Sequence, residues 1–274
     1  MKDELEDPRE GGDERIEKLR IIQISSGNRE EVEDVVVTEV PLTIFLNEDK
    51  VITLLCTPQN QESLAVGFLF SEGLIESIEE IENISFEREK NEINIKTGSK
   101  RSIPSDFSHA KILTSGCAKG VTFSNIAAID PIKDLLIDLR LTLSSSEIQK
   151  LMHQFEIKSL LFRQTGGVHS AALADQEKIL IFFEDIGRHN AVDKVVGRCL
   201  LDQIPCADKV LLLSGRISSD ILAKASRSGI SIIISRSAPT SLAVENAQKL
   251  GITLVGFARG SRMNIYTFPL RITV

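Results

Sequence analysis

Four cysteines, at positions 56, 117, 199 and 206, form no Cys-x-x-Cys pair and no evenly spaced framework. A disulfide-stapled secreted scaffold is therefore excluded, and reduced thiols in a cytosol are the expected state. No run of about 18 apolar residues, the length a membrane helix needs, occurs. The longest comparable stretch, Leu64 to Phe70, is too short and is interrupted by Gly67. The N-terminus has acids where an export signal needs a basic start and an apolar segment. A non-membrane, cytoplasmic protein is expected. Basic charge is also scarce: 32 Lys and Arg against 39 Asp and Glu give a net charge of -7. General nucleic-acid binding rests on a basic surface that neutralises phosphates, and this balance argues against it. Neither Gly-x-Gly-x-x-Gly nor Gly-x-x-x-x-Gly-Lys-Ser/Thr is present, so neither an ordinary dinucleotide fold nor a nucleotide triphosphatase is indicated. There is no internal repeat.

What is there suits a globular fold. The chain has 274 residues, 42% hydrophobic and 26% charged, enough for one large domain or two modest ones. Residues 1–34 hold six basic and twelve acidic side chains, a composition that reads as a flexible leader. Residues 35–130 then read as a smaller β-rich part. Two apolar, β-branched runs flank Asn47-Glu48-Asp49, a helix follows over Gln61 to Ser71 with Gly73 as its cap, and short strands are expected at Ile81 to Glu87 and Glu92 to Lys96. Residues 131–274 read as an α/β core. Ser144 and Glu147 form a capping box, Leu160 to Arg163 opens an alternation of apolar strands and helices, and the strands KILIFF, KVLLLS, ISIIIS, ITLVGFA and MNIYTF follow. Continuous apolar strands joined through helices predict a mixed or parallel sheet covered on both faces.

Ligands of open α/β sheets bind at the carboxyl ends of strands, and here those ends are polar and glycine-rich. Arg163 leads into TGGVHS, KILIFF into EDIGRHN, KVLLLS into GRISSD, ISIIIS into RSAPTS and ITLVGFA into RGSR. Five such loops can converge on one phosphorylated ligand, because glycines admit backbone amides, helix starts favour anions and arginine binds phosphate bidentately. The segment Arg259-Gly260-Ser261-Arg262 stands out, since no Asp or Glu occurs from Gly256 onward.

Cys117 lies in the exposed-loop segment TSGCAKG, between Gly116 and Gly120 and near Lys119, a setting that favours a thiolate. Cys56, Cys199 and Cys206 read as small hydrophobes. His169 and His189 fall in the strand-end loops, whereas His109 and His153 read as surface. A zinc deaminase would show His-x-Glu and then Pro-Cys-x-x-Cys; this chain has His169-Ser170-Ala171 and Pro205-Cys206 with Lys209 at the second cysteine's place. Zinc is not expected, nor any other metal ligand set.

The set LTSGC, RQTGGVHSAAL, EDIGRHNAVDKVVG, LSGRISSDILAKASRSGI and GFARGSRMNIYT resembles the FdhD family of formate dehydrogenase accessory sulfurtransferases, over most of the chain from about Val35. The resemblance implies a cytidine deaminase-like three-layer core. It implies that Cys117 takes persulfide sulfur from a cysteine desulfurase and passes it to the molybdenum cofactor, a bis guanine-dinucleotide pterin, before insertion into formate dehydrogenase. It places cofactor binding on Phe257, Ala258, Arg259, Gly260, Ser261 and Arg262, and suggests a homodimer. With it, Arg259, Arg262, Arg216 and Arg188 would neutralise cofactor phosphates, and His169 or His189 would donate a proton. Many members carry Cys-x-x-Cys in the loop, where this chain has Gly120. The alternatives are a carrier of the cofactor without covalent chemistry, with Cys117 incidental, and a nucleoside-modifying hydrolase on the same fold.

Overall fold

The computed structural model describes residues 13–98 and 141–274. Strands β1 (Ile16–Ser25) and β2 (Asn28–Val37) form an antiparallel hairpin, which corrects the expectation of a flexible leader over its second half. The physical reason is the turn: Ser26 and Gly27 both take positive φ, 50° and 84°, the backbone a two-residue hairpin turn requires. The acidic residues then lie on a solvated ribbon, with Ile16 opposite Val37 at its base.

Strands β3 (Val40–Leu46), β4 (Asp49–Cys56), β5 (Ile81–Glu87) and β6 (Glu92–Thr97) build a four-stranded sheet in the order β4-β3-β6-β5. Helix α1 (Gln61–Ser71) lies between β4 and β5 in the chain, where the apolar spacing placed it. Its cap is Glu72, followed by Gly73 at φ 77°.

After residue 141 come β7 (Leu143–Ser144) and helix α2 (Ser145–Lys158). Ser144 caps this helix: its Oγ accepts from the Glu147 amide at 3.2 Å, and Glu147 Oε2 accepts from the Ser144 amide at 2.6 Å. Leu160 to Arg163, expected as a strand, belongs to helix α3 (Leu160–Thr165). The competing influence is Glu184, whose carboxylate accepts from the amides of Leu161 and Phe162 at 2.9 Å each and so caps this helix from another element. His169 and Ser170, expected in a loop, open strand β8 (His169–Ala174). Its small side chains gave little apolar signal, yet Ala171, Ala172, Leu173 and Ala174 are all fully buried.

The remaining elements are β9 (Ile179–Asp185), α4 (Arg188–Leu201), β10 (Val210–Leu213), α5 (Ser219–Arg227), β11 (Ile232–Ser235), α6 (Ser241–Leu250), β12 (Thr253–Arg259), β13 (Arg262–Ile265) and β14 (Ile272–Thr273). Six strands make one mixed sheet in the order β13-β12-β11-β10-β8-β9. Its β10, β11 and β12 are parallel, whereas β8 and β13 run antiparallel to their neighbours.

Strand periodicity divides the core between the two faces of this sheet. Val210, Leu212, Ile232, Ile234 and Val255 pack with Ile148, Leu151, Met152 and Phe155 of α2. Leu211, Leu213, Ile233 and Leu254 pack with residues of α4, α5 and α6. That second cluster continues without a break through α1 into Leu42, Ile44, Ile52, Ile93 and Ile95 of the four-stranded sheet, so the two sheets share one core. The α1–α4 crossing is close enough to require glycine. A Cβ on Gly67 would stand 1.8 Å from the Asp193 carbonyl oxygen, and one on Gly197 would stand 1.9 Å from that of Ser63. Among the described residues no helix is long and apolar enough to cross a membrane.

Candidate functional site at one end of the six-stranded sheet

The topology brings all five polar loops to one end of the sheet. Parallel β10, β11 and β12 end there, antiparallel β8 begins there opposite Asp185 of β9, and β13 begins there opposite Arg259. His169 therefore stands at the start of a strand rather than inside a loop, with its Nδ1 3.4 Å from Ser214 Oγ. Ser214 Oγ also accepts from the Ser170 amide at 2.9 Å, which ties the end of β10 to the start of β8.

Asp185 holds the EDIGRHN turn. Its carboxylate accepts from the Gly187 amide and Asn190 Nδ2 at 2.9 Å each, from the Thr57 amide at 3.1 Å and from Lys194 Nζ at 2.7 Å. Thr57 follows β4, so the first sheet fixes the loop that presents Arg188 and His189. Burying this charge is tolerable only because every oxygen is satisfied. Gly215 keeps the neighbouring turn narrow: a Cβ there would lie 3.2 Å from His169 Nδ1 and 3.4 Å from Arg188 Cβ.

The electrostatics are those of a positively charged rim. Burial and the nearby Arg216 push the Arg188 pKa below its ordinary value. Burial, then Arg188 and Arg216, lower His169. Burial, with Lys224 and Arg188, takes His189 down to about 3, so both imidazoles are neutral near pH 7. His189 differs from the sequence reading, since it lies inside α4 and is 8% exposed.

A cleft of about 450 Å³ opens on the α2 side of this sheet end, lined by residues that include His169, Ser170, Ser214, Arg236 and Arg259. A smaller hollow of about 180 Å³ adjoins it through Arg236 and Arg259 and reaches Ala258 and Gly260. Arg259 Nε donates to the Arg236 carbonyl at 2.8 Å, and Arg236 Nη1 pairs with Glu156 at 2.9 Å. Residues 257–262 form the bulged turn between β12 and β13. Phe257 and Gly260 take positive φ there, 53° and 55°, and the Arg262 guanidinium sits 5.9 Å over the Phe257 ring. Ser261 is exposed in the same turn. Arg236, Ser214, Ser218 and Asp220 also belong to this sheet end, although sequence reading did not single them out; their place directly after a strand was the available signal.

Cys117 and Lys119 lie outside the described residues. Of the other thiols, burial and Asp185 push Cys56 up to about 12. Cys199 is buried, and a hydrogen bond with half-buried Cys206 raises Cys199 and lowers Cys206. Of the residues of the incomplete zinc pattern, His169 stands beside Ser214 and Cys206 packs in the turn after α4.

Comparison with known proteins agrees over nearly the whole chain. The FdhD/NarQ family model matches residues 37–273. The sulfur carrier protein FdhD of Bacillus pumilus is 42% identical over 259 residues, covering 94% of this chain and 98% of its own. The protein of the same name from Listeria innocua is 39% identical over 261 residues, covering 94% and 99%. A crystal structure from Desulfotalea psychrophila, of a protein assigned as a formate dehydrogenase accessory protein, superposes with a TM-score of 0.76 at 30% identity and covers 94% of this chain and 99% of that one. The chain belongs to the FdhD/NarQ family.

Proposed function

We propose that this protein is a sulfur carrier in formate dehydrogenase maturation, a sulfurtransferase that holds persulfide sulfur on Cys117 and delivers it to the molybdenum cofactor. The observation that carries the reading is the convergence of Arg188, Arg216, Arg236, Arg259 and Arg262 on one sheet end, in a protein whose relatives are named sulfur carriers. A bis guanine-dinucleotide pterin carries several phosphates, and arginines beside glycine turns and helix starts suit such a cargo.

In the first step the Cys117 thiolate attacks the outer sulfur of a desulfurase cysteine persulfide. The new S–S bond forms as the donor's S–S bond breaks, and the donor leaves as a thiolate. The outer sulfur would then pass to the bound cargo before the cofactor enters formate dehydrogenase: the Cys117 S–S bond breaks, Cys117 returns to the thiolate, and two electrons from the cargo's metal or from a partner thiol take the sulfur to the sulfide level. Gly120 leaves no second thiol in the Cys117 loop, so the release of sulfur falls to the cargo or to a partner group. His169, neutral and beside Ser214, is placed to exchange a proton at the cleft. A cytidine deaminase-like core, a homodimer and cytoplasmic residence belong to the same reading. The six-stranded mixed sheet, with helices on both faces, supports the first of these.

The test is formate dehydrogenase maturation in cells that produce Cys117→Ala in place of the wild type. Loss of formate dehydrogenase activity with cofactor still co-purifying is the expected result. Retained activity would instead make the protein a carrier without covalent chemistry.

A further inference from the structure

At the end of α4 opposite the arginine rim, two thiols that the sulfur-carrier reading leaves unused are brought together by the way the helix stops. The amide of Ile204 donates to the Cys199 carbonyl at 2.8 Å, that of Gln203 donates to the Leu200 carbonyl at 3.1 Å, and Gln203 takes a positive φ of 53°. These are the two bonds and the left-handed residue of a Schellman turn, which folds the chain back over the last turn of the helix. Pro205 follows and cannot continue the helix. Cys206 is thereby laid on the apolar cluster to which Cys199 belongs, and a hydrogen bond joins the two thiols. Cys206 Sγ also reaches the Ile204 carbonyl, at 3.7 Å.

The two sulfurs differ in access. Cys199 is 3% exposed, so a dissolved oxidant does not reach it. Cys206 is half-buried between the exposed Pro205 and Ala207, and the Cys199 thiol and the Lys209 ammonium favour its thiolate against burial. An accessible sulfur that ionises, with a sheltered thiol against it, forms the two parts of a dithiol that closes on oxidation. Cys56, buried and with its pKa pushed up to about 12, has neither property.

We propose that Cys199 and Cys206 are a reversible oxidation site for small hydroperoxides, closing to a disulfide across the end of α4. The Cys206 thiolate attacks one oxygen of hydrogen peroxide. The O–O bond breaks, hydroxide leaves, and Cys206 becomes the sulfenic acid. The Cys199 sulfur then attacks the Cys206 sulfur, and the S–S bond forms as the S–O bond breaks. The Cys199 proton leaves with the hydroxyl group as water, so the two thiols are oxidised by two electrons and the peroxide is reduced. An external dithiol reopens the bond by exchange. The chemistry uses neither Cys117 nor the arginine rim, and it stands apart from the cargo reading.

The chain supplies its own readout, because Arg198 and Lys209 bound a tryptic peptide, residues 199–209, that holds both sulfurs and no other cysteine. Reduced full-length protein is exposed to a molar excess of hydrogen peroxide, blocked with iodoacetamide and digested with trypsin. The wild-type peptide should be about 2 Da lighter than the free dithiol, carry no alkyl group, and take two alkyl groups once dithiothreitol has reduced it. In Cys199→Ala nothing closes on Cys206, so dimedone should trap its sulfenic acid; Cys206→Ser should leave Cys199 reduced. Two alkyl groups on the wild-type peptide after peroxide would overturn the inference. So would a disulfide joining Cys206 to Cys117 or to a second chain, or oxidation of Cys199 in Cys206→Ser.

Discussion

His189 is neutral in the folded protein because burial, Lys224 and Arg188 hold its pKa at about 3, whereas in the unfolded chain it titrates near the ordinary value of about 6.5. Above that value neither state is protonated, and this histidine makes no pH-dependent contribution. As pH falls through about 6.5 the unfolded chain takes up a proton that the native fold refuses, so stability falls with pH down to about 3. Between pH 7.5 and pH 5 the wild type should therefore lose about 2 kcal/mol more stability than His189→Gln, measured by urea denaturation at both pH values. Equal losses would mean that the imidazole is hydrated in the native state. Sequence spacing brought His189 to the right sheet end but placed it in a loop. Its lowered pKa depends on burial and on the charge of Lys224 in α5, far away in the chain, and no local pattern records them.

The elements that were legible are those whose signals are local. The helix over Gln61–Ser71, the capped helix at Ser144 and the strands of the second half follow from apolar period and capping chemistry. Three features were not legible. The hairpin β1–β2 depends on two positive-φ residues within an acidic segment, α3 depends on Glu184 reaching across from β9, and β8 is a strand of small residues that burial alone reveals. Gly67 and Gly197 also became intelligible only at the α1–α4 crossing. Alanine at Gly67 must displace a backbone carbonyl rather than a flexible side chain, so Gly67→Ala should cost about 3 kcal/mol or more. Thermal unfolding should register this as a drop of several degrees. A midpoint within one degree of wild type would mean that the two helices separate freely. Because the first sheet reaches the site through Thr57 and Asp185, the same substitution should also weaken binding at the arginine rim.

At the scale of the molecule, a sheet end crowded with arginine faces a chain that is acidic as a whole, with a net charge of -7. The convergence of five polar loops was legible from their positions after apolar runs, because a sheet with parallel β10, β11 and β12 must place those ends together. The depth of the site was not legible, since His189 of α4 and Asp220 of α5 meet only in three dimensions. The arginine-rich sheet end is defined by distances and partners, whereas the proposed sulfur chemistry rests on Cys117. Its most direct test is the intact mass of the full-length protein after incubation with a cysteine desulfurase and cysteine, with peptide mapping of any added sulfur. The account predicts a gain of about 32 Da, one sulfur atom, located on Cys117 and absent from Cys117→Ala. No gain in the wild type, or a gain that persists in Cys117→Ala and maps to Cys206, would contradict it.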